Sequence, residues 1–175
     1  MGIAPYLKRE VVGLDMDFSE PKYKYLKQVK GSADRVPFKA KRFDLVILSD
    51  VLEHLPSKIR NKSLAESIRV SKKYVLISGP FGKEAAKQDK DLAEYSFKKL
   101  GYMHPFFEDH LKYGLPNVED LKNIVSSNKK VKDVKILGNY FNLSARSFLM
   151  KFFITNNFLI KYFYMKGMMI FVPIF

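Results

Sequence analysis

The sequence predicts an α/β domain built on a doubly wound, mainly parallel sheet with flanking helices, and three observations carry that reading. The stretches Phe43-Asp44-Leu45-Val46-Ile47-Leu48 and Tyr74-Val75-Leu76-Ile77-Ser78 are nearly continuous apolar strings, as expected of strands buried on both faces by helices. Residues 56–72 between them carry apolar side chains at helical spacing, so strand, helix and strand form a βαβ unit whose right-handed crossover builds a parallel sheet. The chain has 175 residues, 47% of them hydrophobic and 28% charged, which is the balance and length of one folded domain with a real core.

Taken in order, residues 10–15 form the first strand candidate and residues 28–32 a weaker second. Residues 43–50 and 74–80 are the third and fourth. In the intervening helix, Ile59, Leu64, Ala65 and Ile68 share one face, while Lys58, Arg60, Lys62, Glu66 and Arg69 face water and Ser57 serves as cap. Residues 83–99 are polar and helix-prone, and 104–117 are aromatic and marked by proline. Residues 118–127 follow as a helix capped by Asn117. A strand is expected over 131–141, an apolar and aromatic helix or helix pair over 143–166, and a last strand over 167–175. The C-terminal half is thus a helical insertion before the last strand. No repeat or linker marks a boundary, and residues 1–175 are expected to be a single domain.

Composition excludes several kinds of chemistry. There is no cysteine, so a disulfide scaffold, a thiolate nucleophile and a cysteine-ligated metal are ruled out. His54, His104 and His110 show no ligand spacing, and no metal site is expected. The formal charge is +13, but the lysines are scattered along the chain and describe a solvated basic surface. Nucleic acid is therefore not the expected partner. The N-terminus lacks a basic start and long apolar run, which points to a cytoplasmic protein. Residues 148–175 are rich in Phe, Met, Ile and Leu, but Lys151, Lys161 and Lys166 divide them into runs shorter than the roughly 20 residues of a spanning helix. This stripe packs on the core, or makes peripheral membrane contact with its lysines among the headgroups.

Ligands of an open parallel sheet bind beyond the carboxyl ends of its strands. The groups there are Asp15 and Asp17, Ser32 to Asp34, Ser49 to Glu53 with His54, and Gly79-Pro80-Phe81. Asp15 can accept two hydrogen bonds from a ribose diol, or act as a turn residue bonding its own backbone. Three stretches follow one another at regular intervals: Val11-Val12-Gly13-Leu14-Asp15, Gly31-Ser32-Ala33-Asp34-Arg35-Val36-Pro37-Phe38, and Phe43 through Ser49-Asp50-Val51-Leu52-Glu53-His54-Leu55.

This ordered set resembles the class I S-adenosylmethionine-dependent methyltransferases, especially the methyltransferase type 11 group, across roughly residues 2–82. The resemblance implies a Rossmann-like fold, S-adenosyl-L-methionine as cofactor, residues 1–82 as the cofactor-binding half and 83–175 as the substrate-side half. It implies that Asp15 binds the adenosyl ribose and that Ser32, Ala33 and Asp34 flank the adenine. Ser49, Asp50 and Val51 would line the methionyl and methyl end. Many relatives carry an acidic residue where this chain has Ser32, so either Asp34 takes that place or adenine is held less tightly. Gly2 looks like the last glycine of the family's GxGxG loop, with residues 3–8 as the helix after it. The first strand and most of the loop would then be missing, leaving the edges of neighbouring strands unpaired.

Methyl transfer to a hydroxyl needs an aligned acceptor and a place for its proton. His54 is the candidate base, since it follows the third strand and imidazole is the side chain type suited to exchanging a proton near neutrality; alternatively, Glu53 and His54 cap or orient the next helix. Glu53, His104 and His110 are expected on the substrate side. The expected function is methyl transfer to a small-molecule, glycan or lipid-linked acceptor. Two alternatives stand beside it: an inactive remnant acting as a binding module, and a nicotinamide-dependent oxidoreductase.

Overall fold

The computed structural model describes residues 9–18, 24–138, 143–155 and 157. They fall into two compact units interleaved in sequence. The first takes the described residues up to Ile47 together with 58–76, and the second takes 48–57 and the described residues from Ile77 onward.

In the first unit, β1 (Val11–Asp15) pairs in parallel with β2 (Leu26–Lys30), Val11 opposite Leu26 and Asp15 opposite Lys30. The ladder continues one step beyond each end, through Val11 N–H to the Tyr25 carbonyl (2.8 Å) and Gly31 N–H to that of Asp15 (2.9 Å). The second strand thus begins and ends two residues earlier than expected. Strands β3 (Phe43–Ser49) and β4 (Ser71–Ser78) form another pair. Bonds from Arg42 N–H to the Val70 carbonyl (2.7 Å) and from Asp50 N–H to that of Ser78 (2.9 Å) show that they start and finish together, hence in parallel. Helix α1 (Ser57–Val70) makes the crossover between them, as the βαβ reading requires. The result is a Rossmann-like α/β architecture of two parallel pairs, with no described strand joining them.

Two details depart from expectation. Leu45, Tyr74 and Leu76 are about half exposed or more, so β3 and β4 are not buried on both faces by the described residues. Helix α1 is also rotated from its expected face: Arg60, Ser63, Leu64, Ser67 and Val70 are buried and Ala65 is exposed. Two serines can face inward because their hydroxyls are satisfied within the helix, Ser63 Oγ donating to the Ile59 carbonyl (2.9 Å) and Ser67 Oγ to that of Ser63 (2.7 Å). A hydropathy reading counts them as polar and misses this.

The second unit is helical. Helices α2 (Gly82–Leu100), α3 (Pro105–Tyr113), α4 (Val118–Ser126) and α5 (Leu143–Phe153) follow one another. Leu92 and Ala93 of α2, Phe107 of α3 and Ile154 after α5 form its core, with Leu100, Met103 and Met150 around them. Gly101 ends α2 in the left-handed region at φ 78°, where its N–H reaches the Phe97 carbonyl at 2.9 Å. Asn117 caps α4 as expected, accepting from the N–H of Glu119 at 2.8 Å.

Residues 131–138 are not the expected strand. They take no regular structure, with Val131 and Val134 half-buried but Ile136 and Leu137 exposed; burial every third residue does not suit a strand's two-residue alternation. The remainder of that strand, the extension of α5 beyond residue 157 and the last strand lie outside the described residues. Among the described residues no helix is long and apolar enough to cross a membrane.

Candidate functional site

In the first unit, Asp15 closes β1 with its side chain exposed. One carboxylate oxygen accepts from Asp17 N–H at 3.3 Å; the other has no hydrogen-bond donor among the described residues. The turn bond is thus present, and the second oxygen is left able to accept from another donor. After β2, Ser32, Ala33 and Asp34 are half-buried. Ser32 Oγ donates to Asp34 Oδ1, and this bond holds the Asp34 carboxyl below its ordinary value. The loop that follows is clamped to α1. Arg69 donates to the carbonyls of Phe38 (2.7 Å) and Val36 (3.0 Å) and makes a two-pronged pair with Glu66 (2.6 and 2.7 Å), while Glu66 also accepts from Val36 N–H at 2.9 Å. Both side chains were expected to face water; both are half-buried.

In the second unit, β3 ends at Ser49 and the chain turns abruptly. Asp50 has φ 51°, the left-handed region that side chains rarely enter outside tight or functional turns. Ser49 Oγ donates to its carboxylate at 3.0 Å, and Ser78 Oγ donates to Ser49 Oγ at 3.2 Å. Val51 then leads into a 3₁₀ turn over Leu52–His54.

That turn buries Glu53 to 1% exposure. Its carboxylate lies against β4's end: a Cβ on Gly79 would stand 3.1 Å from both of its oxygens, a tight contact that would press the carboxylate aside by a few tenths of an ångström. One oxygen, Oε2, has no hydrogen-bond partner among the described residues. Burial raises the Glu53 carboxyl to about 7, assisted by the negative charges of Asp50 and Asp89. His54 Nδ1 is 3.2 Å from Asp109 Oδ2. Its ring lies 4.9 Å from that of His110, centroid to centroid. His110 is buried in turn, with Nδ1 2.8 Å from Asp89 Oδ2, and Arg146 of α5 donates to Asp89 (2.6 Å) and to Gln88 (2.6 Å).

The fold thus joins Glu53, His54 and His110. His104 instead sits at the N-terminus of α3, its N–H donating to Ser96 Oγ (3.0 Å) and its ring 5.2 Å from that of Phe153. Gly2 lies outside the described residues. Sequence reasoning missed Asp89, Asp109 and Arg146. Asp89 lies in a helix of mostly polar residues, where nothing local separates the one buried carboxylate from its exposed neighbours; Asp109, next to His110, was the more accessible hint.

Residues 3–77 match the family model described as Methyltransferase domain, type 11. This segment is class I methyltransferase-like. A curated relative, the Arabidopsis thaliana protein described as "Probable pectin methylesterase CGR3", is 34% identical over 87 residues, covering 49% of this chain and 33% of that protein. The chain therefore spans about a third of that relative's length.

The methyltransferase-like segment contains Asp15, Ser32 to Asp34, Ser49 to Val51, Glu53 and His54, and it stops before His104 and His110. Its family generally uses S-adenosylmethionine. The first unit's residues fit the adenosyl part of that cofactor: Asp15 offers an exposed carboxylate at a strand end, and the half-buried Ser32–Asp34 loop offers backbone groups after the neighbouring strand. In that family S-adenosylmethionine supplies the methyl group, carried on a sulfonium.

Proposed function

We propose that this chain transfers the methyl group of S-adenosylmethionine to an oxygen of a glycan, small-molecule or lipid-linked acceptor, with a glycan as the favoured class. The observation that carries the reading is the exposed Asp15 at the end of β1, paired in parallel with β2, inside a segment that matches the methyltransferase domain. In this proposal Asp15 receives the ribose hydroxyls and Ser32, Ala33 and Asp34 flank the adenine. The methionyl-end role of Ser49, Asp50 and Val51 rests on the family resemblance. The acceptor is handled at Glu53, His54 and His110, where Asp109 and Asp89 fix the two imidazole rings. The preference for a glycan comes from the relative whose name refers to pectin.

That name also supports a second reading, hydrolysis of a glycan methyl ester. One assay separates them. The purified chain is incubated with de-esterified pectin and methyl-labelled S-adenosylmethionine, and in parallel with methyl-esterified pectin alone. Label entering the polymer supports transfer; methanol release without cofactor supports the esterase. Cofactor binding is tested by calorimetric titration with S-adenosylhomocysteine. Asp15→Ala is expected to weaken it by about 1–3 kcal/mol, the usual loss for hydrogen bonds to a charged group. Equal affinity in the two chains would sink the assignment of Asp15.

A further inference from the structure

Glu53, His54 and His110 stand close enough for one ion. One ligand atom from each, a carboxylate oxygen and two ring nitrogens, all lie within 4.8 Å of one another. Ligands sharing a tetrahedral zinc at about 2.0–2.2 Å lie roughly 3.4 Å apart, so closure by at most about 1.4 Å brings them into contact with it.

The surroundings are those of metal-binding histidines. An ionised carboxylate can only accept a hydrogen bond, so in these contacts Nδ1 of His54 and of His110 donates to Asp109 and Asp89, and Nε2 of each ring is the nitrogen not engaged by a carboxylate. A carboxylate on the far nitrogen is the usual device that orients a ligating imidazole and raises its basicity. Glu53 supplies an independent observation. It is 1% exposed, one of its oxygens has no partner among the described residues, and Gly79 keeps the space against it clear of a side chain. A buried carboxylate left in that state is unfavourable unless a proton or a positive charge reaches it, and a metal cation can supply the charge. Asp50 adds negative charge nearby, while the Arg146 guanidinium is engaged with Asp89 and Gln88.

We propose that Glu53, His54 and His110 bind a divalent transition-metal cation, zinc by ligand type, with Asp109 and Asp89 as positioning residues. Two nitrogens and one oxygen suit zinc better than magnesium or calcium, which favour all-oxygen sets. Three protein ligands leave a fourth position for water or for an acceptor oxygen. His54 is then a ligand in place of a free base. The sequence hides the site because His54 and His110 belong to different elements and no local spacing links them. The inference stands on side chains of the second unit alone and does not need the methyl-transfer reading.

The test uses the full chain, freed of metal with a chelator and titrated with Zn²⁺ by calorimetry. One equivalent is expected to bind with micromolar or tighter affinity, and Co²⁺ in its place should show the visible absorption of a low-coordinate nitrogen–oxygen site. His54 is about one-third exposed, so His54→Ala should fold; it is expected to weaken Zn²⁺ at least tenfold. Asp109→Asn should weaken it by about 10–100-fold, the range for an orienting partner. A folded chain that binds no Zn²⁺, or binds it equally well after His54→Ala, overturns the proposal and leaves these side chains as a proton-handling pair of imidazoles. Because Asp15 plays no part in this measurement, its result does not depend on cofactor binding.

Discussion

Glu66 and Arg69 show how single residues hold the candidate cofactor loop in place. The pair accepts one backbone N–H and donates to two carbonyls between Val36 and Phe38, so it pins the chain just after Ser32–Asp34. Arg69's hydrogen bond holds the Glu66 carboxyl below its ordinary 4.5, with the Val36 bond acting in the same direction. The sign of the linkage follows. A carboxyl with a lowered folded pKa contributes stability that is complete above its unfolded value near 4.5 and disappears as the pH falls through the folded value. We expect Glu66→Gln to destabilise the chain by about 1–2 kcal/mol at pH 7, the range for a charge-assisted bond. Denaturant unfolding of both chains from pH 7 down to 3 should show the gap closing below about pH 4.5. A gap constant with pH would mean that the charge is not what holds the loop. The place of Asp15 at a strand end was legible at this scale, because an apolar run closing in an acid marks the end of a strand. The Glu66–Arg69 clamp was not, since a hydropathy pattern assigns every charge on a helix to water and cannot see the loop carbonyls that draw these two inward.

Among the elements, the legible ones were those with a strong local cause. β3, β4 and α1 were read from apolar runs and helical spacing, and α4 from the Asn117 cap. Where pairing decides structure the reading failed: β2 was displaced by two residues because its register is set by β1, and residues 131–138 take no regular structure, with burial every third residue. The inward face of α1 was likewise hidden by serines that satisfy their own hydroxyls. The Asn117 cap gives the element-scale prediction. Its side chain accepts from the N–H groups of Glu119 and Asp120, at 2.8 and 3.4 Å, donors that the first turn cannot satisfy internally. Asn117→Ala should lower stability by about 0.5–2 kcal/mol and Asn117→Asp should retain most of it. Urea unfolding of the three chains decides between a working cap and a helix held by its packing alone, in which case the alanine variant would match the parent.

At the scale of the whole molecule, the two proposals place their ligands in different units: the adenosyl group at Asp15 and Ser32–Asp34 in the first, and the cation at Glu53, His54 and His110 in the second. The His54–His110 meeting was illegible in the sequence because it is a product of the second unit's packing, in which α3 brings His110 to the turn after β3. A ligand that binds only the folded chain stabilises it by mass action, about 2.7 kcal/mol at a hundred times its dissociation constant. For a chain of this size that amounts to roughly 5–10 °C in melting temperature. Scanning calorimetry of three chains makes the assignment a crossed experiment. The parent should shift upward with S-adenosylhomocysteine and with Zn²⁺. Asp15→Ala should lose most of the first shift and keep the second; His54→Ala should lose the second and keep the first. If Asp15→Ala abolished both shifts, its effect would be on folding and not on the ribose contact. If His54→Ala abolished the S-adenosylhomocysteine shift while leaving that of Zn²⁺, His54 would belong to the cofactor's site and not to the cation's.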